Sequence, residues 1–240
     1  MRGDGMTRRR LKIAVIDTGV NAHHPHICAP TQGVVFDPEE TEHSWDDSLG
    51  HGTAVTAAIQ EKAPDAEYYI LKLFGNSLRT TASRLMKAMD WTIENRMDVV
   101  NLSLGSTNLD HRKALESLVA KAAEAAVVLV SARYSGQTPA LPGMLDGVIG
   151  VDVDWNLPRD RYRASSESGT PLFSASGFPR PLPGVSPARN FHGISFAVAN
   201  MTGFVARAYE GLEQRSLHNV LRVLMDETEN AVSRRQLQTS

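Results

Sequence analysis

Lys12-Ile-Ala-Val-Ile-Asp17-Thr-Gly19 is a run of apolar, largely β-branched residues that stops on a carboxylate and a turn. Short runs of this kind, bounded by turn formers, read as buried strands. The pattern recurs at Tyr68–Leu73, Val99–Leu104, Val127–Ser131 and Gly147–Val153. Between these runs, Gly52–Glu61, Thr81–Asn95 and Ala114–Ala126 carry helical spacing, with Leu85, Met86, Met89 and Ile93 on one face of the second. Such alternation predicts an α/β fold: a three-layer sandwich with a mostly parallel central sheet, helices on both faces and right-handed crossovers. Residues 156–192 are rich in Pro, Arg, Ser and Gly and read as loops and short strands, and Ser195–Glu210 reads as a long helix. There is no internal repeat and no interdomain linker, so residues 11–225 form one domain. The polar stretches 1–10 and 226–240 read as flexible ends.

Composition narrows the function classes. The chain has 240 residues, 42% of them hydrophobic, enough for one sizeable core. A formal net charge of −2 carries no basic bias toward nucleic acid. No apolar run approaches the ~20 residues that span a membrane. Cys28 is the single cysteine, which excludes an internal disulfide. The basic N-terminus runs into a first strand and reads as no signal segment, and with the core starting near residue 11 no upstream pro-segment is expected. The expectation is a cytoplasmic protein. Oligomeric state is not legible here.

Three residues carry chemistry. Asp17 ends the opening strand. His51 stands in Asp46-Asp-Ser-Leu-Gly-His-Gly-Thr-Ala54, at the start of a helix. Ser195 stands in Phe191-His-Gly-Ile-Ser-Phe-Ala197, at the start of another. Each alone has a plain structural reading as a turn cap, a loop residue or a helix-start serine. Together, in the order Asp, His, Ser, they match the needs of an activated hydroxyl. Serine is a weak nucleophile that requires a base, histidine titrates near neutrality, and a buried carboxylate fixes the imidazole tautomer.

These stretches resemble the signatures of the subtilisin-like serine peptidases, the subtilases. Asp17-Thr-Gly, His51-Gly-Thr and Gly193-Ile-Ser-Phe-Ala197 match the three catalytic signatures. Val99-Val-Asn-Leu-Ser-Leu-Gly105 is similar to the family's substrate-binding strand, and the likeness extends from about Lys12 to Tyr209. The resemblance implies a serine endopeptidase acting through an acyl-enzyme, with Asp17, His51 and Ser195 as the triad. It implies a peptide or protein substrate held as an extended strand along Ser103, Leu104 and Gly105. The Ser195 backbone N–H supplies one oxyanion donor.

The chain departs from the pattern at the second donor. Relatives place an asparagine there; Ser131-Ala-Arg-Tyr134 puts Tyr134 at that position, with Arg133 beside it. Loss of such a donor lowers the rate by ~10²–10³, a figure measured within this family. Ala199 also replaces a proline of the pattern, followed by Asn200. Two readings therefore stay open: an endopeptidase, specialised for intracellular processing such as leader removal, and a weakened pseudo-peptidase that binds extended peptides. An α/β-hydrolase esterase fits poorly, because Ala197 breaks Gly-X-Ser-X-Gly and the residue order differs. His23, His24, His26 and Cys28 lack regular zinc spacing, and Asp46 and Asp47 lack a spaced calcium pattern. No metal or cofactor is expected.

Overall fold

Alternation along the first strand sets the layers. In strand β1 (Lys12–Asp17), Ile13 and Val15 point into one apolar cluster, while Ala14 and Ile16 point into another on the opposite face. A strand buried on both faces in this way belongs at the centre of a covered sheet. The computed structural model describes residues 9–36, 45–74, 80–167 and 169–238. Around β1 lie β2 (Thr31–Val35), β3 (Glu67–Lys72), β4 (Val99–Leu102), β5 (Val128–Ala132), β8 (Val148–Val153), β9 (Tyr162–Glu167) and β10 (Thr170–Ala175). They form one sheet in the order β2-β3-β1-β4-β5-β8-β10-β9, every pair parallel except the β10/β9 hairpin. A separate small hairpin joins β6 (Tyr134–Ser135) to β7 (Thr138–Pro139).

Helices cover both faces. α1 (His51–Gln60), α4 (Ile194–Glu210) and α5 (Leu217–Gln238) pack into the cluster that holds Ile13 and Val15. α2 (Ala82–Glu94) and α3 (Arg112–Glu124) pack into the other cluster. Thr81 caps α2 by accepting from the Arg84 N–H. On α2 the buried residues are Leu85, Ala88, Met89 and Thr92; Met86 and Ile93 of the expected face are half-buried. From Phe196 through Ala206, α4 is buried without interruption, as befits a helix enclosed on every side. The three-layer architecture is the one that the alternation predicts.

Four differences from the sequence reading have physical causes. β4 stops at Leu102 and not Leu104, because Ser106 is drawn into a two-bond antiparallel bridge with Leu141, both bonds 2.8 Å. Ser103, Leu104 and Gly105 thus lie beyond the strand. Strand β2 was not foreseen, since a glycine and a glutamine break its short apolar signal. The helix α5 continues past Met225 to Gln238, so the polar composition there marks a helix rather than a loose tail. At the other end, residues 1–8 of the expected flexible N-terminus lie outside the described residues. Arg9 is tied to Asp98 by two hydrogen bonds of 3.0 and 2.7 Å.

Candidate active site

Asp17 closes β1 at the carboxyl edge of the parallel sheet, where α/β folds place their ligands. Its carboxylate is 1% exposed, and Oδ1 accepts from the Thr18 N–H at 2.8 Å. The same oxygen lies 2.7 Å from His51 Nδ1. With the carboxylate accepting, Nδ1 carries the proton and Nε2 is left as the basic nitrogen. Burial pulls the His51 pKa down. The charge of Asp17, its hydrogen bond and the charge of Asp47 outweigh that, so the imidazole pKa lies above its ordinary value.

The local sequence explains why these two groups meet. Gly52, directly after His51, faces the Gly19 carbonyl so closely that a Cβ would stand 2.2 Å from it. Any side chain there would push α1 off the β1 loop. Thr18 Oγ1 then accepts from the Gly52 N–H at 2.8 Å and donates to Asp47 Oδ1 at 2.8 Å. Asp47 is the hub of this loop. It accepts from the Leu49, Gly50 and Thr53 N–H groups and from the Thr18 and Thr53 hydroxyls. It thereby caps α1, whose first residue is His51. In the sequence Asp47 stands out only as an acid without a calcium-binding pattern. Its signal as a cap is an aspartate shortly before a helix start.

Ser195 is the second residue of α4, and Gly193 precedes the helix. Phe196 brings this turn against His51, with ring centroids 5.4 Å apart; Phe191 approaches the same imidazole edge-on at 6.1 Å. The Ser195 hydroxyl donates to the Ser103 carbonyl at 3.2 Å. Among the described residues no hydrogen bond joins Ser195 to His51. Ser103 is itself held from below: Asn101 Nδ2 donates to Ser103 Oγ at 2.7 Å, and Asn101 Oδ1 accepts from Thr202 Oγ1 at 2.9 Å. A fully buried asparagine inside an otherwise apolar strand is the signal that sequence reading passed over.

The remaining expected contacts divide. Ser103 and Leu104 are half-buried and Gly105 is exposed, past the point where the β4/β5 ladder ends. Gly105 is required by the chain itself, because a Cβ there would lie 2.7 Å from the Leu141 carbonyl. Tyr134 sits in the β6/β7 hairpin with the Arg133 guanidinium 5.5 Å from its ring centroid. Among the described residues its hydroxyl makes no hydrogen bond to Ser195 or His51. Arg133 pairs with Asp152 at 2.8 Å, so its charge is already engaged. Where the pattern's proline is replaced, Ala199 is buried, and Asn200 ties α4 to the Ser176 and Phe178 carbonyls and to Lys62. His24 and His26 pack edge-on at 5.0 Å. Among the described residues no group of three or more His, Cys, Asp or Glu is arranged to hold a metal.

Comparison with known proteins bears on this arrangement. Residues 8–238 match the profile of the Subtilase family. The chain is 36% identical over 186 residues to the minor extracellular protease Epr of Bacillus subtilis (strain 168), an alignment covering 72% of this chain and 28% of that protein. It is 31% identical over 141 residues to subtilisin E of the same organism, covering 55% of this chain and 36% of that one. Among solved structures, a lanthipeptide protease superposes with a TM-score of 0.69 at 21% identity, covering 89% of this chain and 78% of that one. A cold adapted subtilisin-like serine proteinase gives 0.68 at 20% identity, covering 88% and 79%. At such identities the structures speak for a shared fold. The profile match spans nearly the whole sequence, and the chain belongs to the subtilase family.

Proposed function

We propose that this chain is a serine endopeptidase that cleaves peptide or protein substrates through Ser195, His51 and Asp17. The observation that carries the reading is the 2.7 Å contact between Asp17 and a His51 whose pKa is raised, with the α4 start packed against that imidazole. The Ser195 hydroxyl rests on Ser103. Rotation about its Cα–Cβ bond turns Oγ toward His51 Nε2 as substrate enters. Oγ then attacks the scissile carbonyl and His51 takes the proton. His51 returns it to the leaving amine, and water releases the acyl group. The Ser195 N–H, in the first turn of α4, donates to the oxyanion. Ser103 to Gly105, free of the β4 ladder, receive the substrate as an added strand.

Processing of a precursor peptide is part of this proposal. Its support is the shared fold with a structure described as a lanthipeptide protease. A fluorophosphonate probe tests the chemistry: labelling of the wild type at Ser195, lost in Ser195→Ala, is expected. The second reading, a peptide binder with little turnover, draws on the hydroxyl held by Ser103 and on Tyr134 lying without a bond to the site. Tight peptide binding with no labelling supports that second reading instead.

A further inference from the structure

A cavity of about 220 Å³ lies beside His51, and the chemistry above leaves it unused. His24, His26, Ala54, Arg180, Asn190 and Phe191 line it, and none of its lining residues comes from the Ser103–Gly105 edge. Phe191 of this wall also meets the His51 imidazole, with ring centroids 6.1 Å apart and planes at 80°. In the proposed reaction the acyl side of the substrate lies along Ser103–Gly105, so the chain beyond the scissile bond runs away from that edge, past the turn that carries Phe191 and Ser195. The cavity is therefore placed for the fragment that leaves, not for the fragment that is acylated.

Its charge is unbalanced. Arg180 Nη1 reaches the His26 carbonyl at 3.4 Å, and Nε lies 3.7 Å from Glu61 Oε1. Glu61 is shared, however. Arg159 donates to both of its oxygens, and Lys62 Nζ lies 3.4 Å from Oε2. Three cations thus divide one carboxylate. The acid in the cavity wall, Asp47, already has both oxygens occupied by five donors at the start of α1. Among the described residues Arg180 keeps donors with no full charge partner, and a planar guanidinium matches a carboxylate best. Ala54, Leu182 and Phe191 supply an apolar flank for the stem that carries it.

We infer that this cavity is a leaving-fragment subsite in which Arg180 selects peptides bearing a carboxylate just after the scissile bond. The inference rests on His51 acting as proton donor in the proposed reaction. The carboxylate comes either from an Asp or Glu side chain or from a free chain end.

The test uses the full chain and quenched peptides built on a sequence that it cuts, differing only in the residues after the cut. Glu should exceed Gln in kcat/KM by about tenfold, with Lys lower still. The gap should narrow between about 0.05 and about 0.5 M salt as screening sets in. Arg180→Gln should erase the gap, chiefly by slowing the Glu peptide, and Arg180→Lys should restore part of it. A free acid favoured over its amide, with Glu and Gln equal, assigns the carboxylate to the chain end. Equal rates for both pairs in the wild type overturn the inference, as does a gap that persists in a folded Arg180→Gln protein. Anisotropy of the same peptides on Ser195→Ala separates the two levels. No cleavage and no probe labelling sink the reaction, yet a Glu-over-Gln binding ratio of about ten still supports the subsite, and equal binding removes it.

Discussion

Replacing Asp47 probes the frame of the site without touching its reacting groups. Five donors converge on this carboxylate, three of them backbone N–H groups at the start of α1. A hydrogen bond to a charged group contributes roughly 1.5–3 kcal/mol, and a buried donor left alone costs roughly 1–3 kcal/mol. Asp47→Ala leaves the N–H of buried Thr53 and of half-buried Leu49 and Gly50 without their acceptor. One buried and two half-buried donors imply a loss of about 4 kcal/mol. Asp47→Asn keeps one oxygen and turns an amide nitrogen on the Thr53 N–H, so its loss should be about 2 kcal/mol. Both variants also remove a charge that raises the His51 pKa, so that pKa should fall in each. Urea unfolding measures the first effect, and NMR titration of the His51 ring the second. A loss under about 1 kcal/mol in Asp47→Ala, or an unmoved His51 titration, would refute the role of Asp47 as cap and charge partner.

Asp17→Asn should lower the His51 pKa, because burial then acts against an imidazole that has lost its anionic partner. The rate should drop by ~10⁴ as the tautomer is no longer fixed, read by probe labelling across pH. An acid limb that stays in place counts against the pair. Lys62 offers a second pH test: burial lowers its pKa most, Glu61 only partly offsets that, and the result is about 8. The unfolded chain binds this proton up to about 10.4, so the folded state gains stability as pH rises from about 8. Relative to Lys62→Met, the wild type should gain up to ~3 kcal/mol between those values, measured by urea unfolding. A flat difference would show that the ammonium is solvated.

How far the sequence reveals this site depends on where each constraint originates. Asp17 and His51 were legible because one ends a strand and the other opens a helix, and both positions follow from local pattern. Their mutual contact was not legible. It depends on Gly52 lying against the Gly19 carbonyl and on Thr18 bridging two loops, which are relations between backbones. The capping role of Asp47 was not legible for the same reason, since its partners are mostly main-chain N–H groups that no composition displays. The end of β4 was misjudged because the bridge between Ser106 and Leu141 is made by a distant segment.

Tyr134 is the residue that correspondence puts forward as a second donor to the oxyanion, and its ring lies against the Arg133 guanidinium. If the Ser195 N–H carries the oxyanion alone, much of the rate must come from holding the substrate well. That shifts selective weight onto contacts away from the reacting atoms. In the proposed reaction the Ser103–Gly105 edge would fix the acyl side through backbone groups common to every peptide, and the proposed subsite at Arg180 would tell one leaving fragment from another. A site of this composition should accordingly be slow on generic peptides and discriminating on the departing side. A broad, fast digestion of unstructured protein would contradict that balance.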